Sequence, residues 1–108
     1  MFINVVEFPA IKPGKEDEFE KWFAWTNDVF GKFPGFIRRR LLKPIRGADR
    51  YAAIVEHESE VTFMSMHNSG ERQTAWERVH PLFADASPTP RFYEVIVSSE
   101  RETPGIAP

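Results

Sequence analysis

A chain of 108 residues with 42% hydrophobic content has room for one small domain, since two would each be too short to bury a stable core. Its charges nearly cancel, at a formal net of -2, which excludes the broad basic footprint of a nucleic-acid binder. Cysteine is absent, so disulfides, thiolate metal sites and cysteine nucleophiles are excluded; with no apolar run of membrane length and no signal-peptide pattern, the expected compartment is the cytoplasm.

The aromatic content is high, at ten Phe, three Trp and two Tyr. In so small a domain that implies a bulky core, an apolar pocket, or an apolar face covered by another subunit. FINVVEF, residues 2–8, is β-branched and aromatic and ends at Pro9, which predicts a strand. Residues 15–33 then set Phe19, Phe23, Thr26, Phe30 and Phe33 on one helical stripe, with acids in the first turn and Pro34-Gly35 as the stop. FIRRRLLKP and RYAAIVEHE read as two strands joined by a glycine-containing hairpin. Ser59 is placed to cap a helix from Glu60 to Met66 or His67, and Asn68 with Glu71 resembles a capping box for a further helix ending near Pro81. RFYEVIVSS, 91–99, is the last strand, and residues 100–108 form a polar, proline-rich tail outside a domain spanning 1–99.

The order β-α-β-β-α-β is the split βαβ pattern of a ferredoxin-like α+β domain, an antiparallel four-stranded sheet with helices on one face. Alternation in the first strand sets Ile3 and Val5 against Phe2, Val6 and Phe8, so both faces are apolar while the helices cover one. A homodimer packed sheet to sheet resolves this; a tail folded back over the sheet is the other solution.

Three features carry candidate chemistry. Asn4 shares a face with Phe2, Val6 and Phe8, where its amide either bonds nearby backbone or meets a ligand in a cavity. Within Arg38-Arg39-Arg40, alternation sends Arg38 and Arg40 to one face and Arg39 to the other, with cross-strand pairing to Glu7, Glu56 or Glu94, or a bound anion, as partners. In FMSMHNSGERQTAWERVH, Trp76 and His80 fall four apart on one helix face while His67 precedes the Asn-Ser-Gly break. That spacing is no zinc motif, and no phosphate loop, nucleophile triad, flavin motif or nicotinamide motif is present. Either histidine is still a candidate for ligating haem iron from one side of an apolar cleft.

Through INVVEFP, PGFIRRRLLKPIRGADRY, HESEVTF and FYEVIVSS, the chain resembles the antibiotic-biosynthesis-monooxygenase superfamily over about residues 3–98, and within it the small haem-degrading monooxygenases of the mycobilin-producing type. The resemblance implies ferredoxin-like dimers whose sheets close into an α+β barrel. It also implies an Asn on the first strand, a Trp on the second helix and an iron-ligating His ten residues beyond. Asn4 matches the first; the Trp position falls on Met66 and the His position on Trp76, while an insertion near Asn68 would bring His80 toward the ligand's place. His67 stands beside the Trp position.

The expected site therefore has Asn4 bonded to a reacting oxygen, with Phe23, Met66 and Trp76 shaping the cleft. His80 or His67 would meet the iron, and Arg38 or Arg40 a propionate. The expected activity is monooxygenation of a planar hydrophobic or aromatic molecule, haem being the candidate substrate and cofactor in one, with electrons from an external donor. The alternatives are cofactor-independent oxidation of a quinol or polyphenol, and a non-catalytic dimeric module binding haem or another hydrophobic ligand.

Overall fold

The computed structural model describes residues 1–84 and 88–100. The elements are β1 (Phe2–Glu7), α1 (Glu16–Phe30), β2 (Phe36–Leu42), β3 (Ala52–His57), α2 (Glu60–His67), α3 (Gly70–Val79), a 3-10 turn at His80–Leu82, and β4 (Thr89–Glu94). The strands form one antiparallel sheet in the order β2-β3-β1-β4, with the helices on one face, so the chain has the expected α+β ferredoxin-like fold. No helix among the described residues is long and apolar enough to cross a membrane.

The α1 stripe explains the helix's placement. Phe19, Trp22, Phe23, Thr26 and Phe30 are its buried residues, spaced three and four apart, and Phe19 is fully enclosed. Burying one such ring contributes roughly 1.5–3 kcal/mol. Phe8 inserts from the end of β1 into this layer, meeting Phe19 edge-on at 5.0 Å, and Tyr51 donates its hydroxyl to Glu20 at 2.5 Å to tie α1 to the start of β3. The helix stops at Phe30 rather than at the expected residue 33, because Gly31 and the Pro34-Gly35 turn are poor continuations.

Ser59 caps α2 as expected, accepting the Thr62 backbone N–H while Thr62 answers the Ser59 N–H. The expected cap of α3 is corrected by one residue. Ser69, not Asn68, accepts the Arg72 N–H at 3.1 Å, and Asn68 instead closes α2. The last strand is also shorter than expected. Glu94 lies opposite Phe2, and beyond the Val95 N–H bond to Met1 the neighbouring strand is exhausted, so Ile96 and Val97 lie outside the sheet and exposed. Except for Glu100, the expected tail lies outside the described residues.

A bulge at Ile37 decides the faces of β2. Phe36 pairs with His57 on the helix side, the register then shifts, and Arg38 pairs with Glu56 while Arg39 pairs with Val55. Arg39 and Leu41 consequently join Asn4, Val55 and Ala53 on the helix side, and Arg38, Arg40 and Leu42 turn to the outer face with Ile3, Val5, Ile54 and Tyr93.

Candidate active site

Between the sheet and the helices lies a cleft of about 960 Å³. Its sheet wall is Asn4 and Val6 from β1 with Phe8 just beyond it, Ala53 and Val55 from β3, and Arg39 from β2; Trp22 and Phe30 of α1 close one side. The other side is Met66 and His67 of α2, Arg72, Gln73, Ala75 and Trp76 of α3, and His80. The expected cleft residues Asn4, Met66, Trp76, His67 and His80 are therefore brought together.

Asn4 is 5% exposed, and its side-chain oxygen is buried without a hydrogen-bond partner among the described residues. Of the two fates open to it, backbone bonding is not the one realised. A buried amide oxygen left without a donor costs about 1–3 kcal/mol, which a ligand hydroxyl or a water in the cleft would recover.

Two indoles build the helix-side wall. Trp22 and Trp76 stack at 6.0 Å with planes 9° apart, and the Trp22 Nε1–H donates to the Ala75 carbonyl at 2.9 Å. Arg72 lies over the Trp76 ring at 5.1 Å. The two histidines differ in setting. His67 is half-buried and stacks on Phe63 at 5.5 Å; burial, and secondarily the Arg72 charge, lower its pKa below the ordinary 6.5, so its ring is mostly neutral at pH 7. His80 is exposed at the start of the 3-10 turn.

Three expected site residues stand elsewhere. Phe23 is 3% exposed and packs in the core behind the cleft wall, under the Arg39 guanidinium at 3.8 Å. Arg38 and Arg40 are on the outer face, both paired with the Glu56 carboxylate, which is the cross-strand ion pairing weighed above. The bulge at Ile37 is the reason: simple alternation from Phe36 would have turned both arginines toward the helices.

Of the three arginines in the triplet, the one that faces the cleft, which Arg72 also lines, is Arg39. Its Nη1 is held by α1 through Thr26 Oγ1, Asn27 Oδ1 at 3.1 Å and the Phe23 carbonyl at 3.4 Å, and the group lies 5.0 Å from the Phe30 ring centroid. Although the residue keeps some exposed surface, burial of the guanidinium pushes its pKa down to about 9, which leaves it a cation at neutral pH. The sequence sets Arg39 on the face opposite Arg38 and Arg40, but alternation alone does not say which face the helices cover. Trp22 and Arg72 were also missed, and for Trp22 the signal was present in its place beside the α1 stripe.

The sequence profile of the antibiotic biosynthesis monooxygenase family matches residues 1–78. A curated relative, heme oxygenase (mycobilin-producing) of Mycobacterium tuberculosis, is 34% identical over 86 residues, covering 79% of each chain. Among solved structures, a mutant of MhuD with two manganese protoporphyrin IX molecules bound per active site superimposes with a TM-score of 0.79 at 24% identity, over 94% of this chain and 100% of that one; MhuD is described as a heme-degrader from Mycobacterium tuberculosis. SnoaB, a cofactor-independent oxygenase from Streptomyces nogalater, superimposes with a TM-score of 0.70 at 21% identity, over 90% and 92% of the two chains. The match over most of the chain, together with the shared fold, makes this protein a member of the antibiotic biosynthesis monooxygenase family.

Proposed function

We propose that the protein is a monooxygenase that admits a planar, largely apolar aromatic molecule between the sheet and the stacked indoles and reacts at an oxygen-bearing position held by Asn4. The observation that carries this reading is the unpartnered, buried Asn4 oxygen on the wall of an otherwise aromatic cleft. A hydroxyl of the substrate would donate to that oxygen. His67, mostly neutral and on the same cleft, would accept a proton as the substrate is oxidised. Electrons come from the substrate itself where it is a hydroquinone, and otherwise from an external donor.

Haem is the second reading, favoured by His67. A neutral, half-buried imidazole on the cleft, with the guanidinium groups of Arg39 and Arg72 for carboxylate arms, is a donor set that suits an iron porphyrin, so the residues fit. When bound, haem would supply a redox-active iron and a ring that is itself oxidisable. This chain's residues would hold it: His67 at the metal, Trp76 and Met66 against the ring, and Asn4 as a polar contact. His80, being exposed, is the weaker candidate for the metal.

The experiment is a haemin titration read in the Soret region, beside oxygen uptake with a panel of polycyclic hydroquinones. Saturable Soret change, shifted by His67→Ala and not by His80→Ala, supports the haem reading; oxygen uptake on a hydroquinone without haemin supports the first. The absence of both responses would leave the monooxygenase reading without support and favour a binding module. Homodimerisation through the outer sheet face belongs to the same proposal, motivated by Ile3, Val5, Ile54, Leu42 and Tyr93 on that face. A monomeric mass by light scattering at micromolar concentration would defeat it.

A further inference from the structure

Arg39 is poised in a way its structural contacts do not use up. One nitrogen, Nη1, makes all of its hydrogen bonds, to the neutral acceptors Phe23, Thr26 and Asn27 at positions i, i+3 and i+4 of α1. The Nε–H and the two Nη2 hydrogens have no acceptor among the described residues, and no described carboxylate forms an ion pair with the group. The neighbouring Arg38 shows what this edge of a guanidinium is suited to: its Nε and Nη2 together grip the two oxygens of Glu56. In Arg39 the equivalent edge is left open in a residue that lines the cleft.

The register fixes how far apart Arg39 and the unpartnered Asn4 leave the sheet. Asn4 and Arg39 both pair with Val55, from opposite sides of β3, so they share one cross-strand row on the helix side. Two strand spacings, about 10 Å, separate their Cα atoms. A fused-ring molecule of two or three rings is of that order of length, so it can lie along the row between the two residues. The Nη1 contacts and the Phe23 ring at 3.8 Å hold the guanidinium plane while its other edge meets no acceptor among the described residues, which preorganises an oxyanion fork.

We propose that Arg39 is the anion-recognition residue of the cleft and that the ligand is a planar aromatic acid, whose carboxylate docks on the Nε/Nη2 edge of Arg39 while its ring system reaches Asn4. The proposal rests on the cleft being the ligand site and adds the charge and orientation of what it takes. Two sources of that chemistry exist, a small fused-ring acid and a porphyrin bearing carboxylate arms.

The test is equilibrium binding to the full chain, followed by quenching of indole fluorescence, with two pairs of probes matched in shape. One pair is anthracene-2-carboxylate and anthracene-2-carboxamide; the other is haemin and haemin dimethyl ester. The wild-type protein is expected to bind the acid of at least one pair about tenfold or more tightly than its neutral partner, and the pair showing the preference identifies the source. Arg39→Gln should reduce that ratio to about one while leaving the neutral partner's affinity in place, and Arg39→Lys, which keeps the charge without the fork, should retain part of it. Equal affinities within both pairs, or Arg39→Gln weakening acid and neutral partner alike, would overturn the assignment while the cleft stood as the ligand site. Failure of all four probes to bind would overturn both. Thermal melting of the Gln and Lys variants guards against misreading a folding defect.

Discussion

Trp22 reaches from the first helix to the backbone of Ala75 in the third, donating its indole N–H across 2.9 Å between residues 53 apart in sequence. That bond sets the wall on which Trp76 stacks, and so couples helix packing to the shape of the cleft. Trp22→Phe removes the bond and half of the indole pair. Its expected cost is about 2–4 kcal/mol from the lost hydrogen bond and the residual cavity, measured by urea unfolding. A change below about 0.5 kcal/mol would show that α3 is held by other contacts.

Asn4 should behave oppositely in stability and in function. Its oxygen has no partner among the described residues, so Asn4→Val, which also suits a strand, is expected to leave stability unchanged or raise it by about 1 kcal/mol. The same variant should lose oxygen uptake on any substrate the wild type turns over, because the group facing the reacting oxygen is gone. If chemical denaturation showed Asn4→Val to be strongly destabilised, the amide would be a structural element, and its place in the site would fall.

The readable parts of this molecule were those governed by local periodicity. Phe19, Phe23 and Phe30 announce the α1 stripe, Ser59 announces the α2 cap, and the alternation through Phe2, Asn4 and Val6 puts Asn4 on one face with its apolar neighbours, the face that the structure shows to be the helix side. The arginine triplet was not readable in the same way. A one-residue bulge at Ile37 reverses every face assignment after it, and nothing in FIRRRLL marks the bulge. The length of β4 was likewise hidden, since it is limited by where β1 begins and not by its own β-branched residues. The pairing of Trp22 with Ala75 depends on how two helices meet, which no single-helix pattern encodes.

Gly35 and Gly47 offer a matched test of crowding. Both have positive φ, at 82° and 73°, so Ala at either is strained by about 1 kcal/mol. At Gly47 a Cβ meets open space, whereas at Gly35 it collides with the Thr62 side chain that also serves the α2 cap. Gly35→Ala is therefore expected to cost about 2–4 kcal/mol and Gly47→Ala about 1 kcal/mol, read from denaturation midpoints. Equal costs would mean that α2 shifts freely to make room.

His57 links stability to pH. It is fully buried at the end of β3, wedged between Phe36 and Phe63, with Nδ1 3.1 Å from Thr62 Oγ1 and Nε2 without a partner among the described residues. Burial holds its pKa below the ordinary 6.5, outweighing the opposing charge of Glu58. The unfolded chain therefore takes up a proton first as pH falls. Stability is fully present above about 6.5 and declines from there down to the lower folded-state value, with His67 adding to the same slope. The measurement is the urea midpoint of the wild type and of His57→Leu between about pH 7.5 and 5. The wild-type midpoint should drop on the acid side, and the variant should start lower, having lost the Thr62 contact, but show a shallower fall. Parallel pH profiles would mean that the buried imidazole takes up its proton without opening the core.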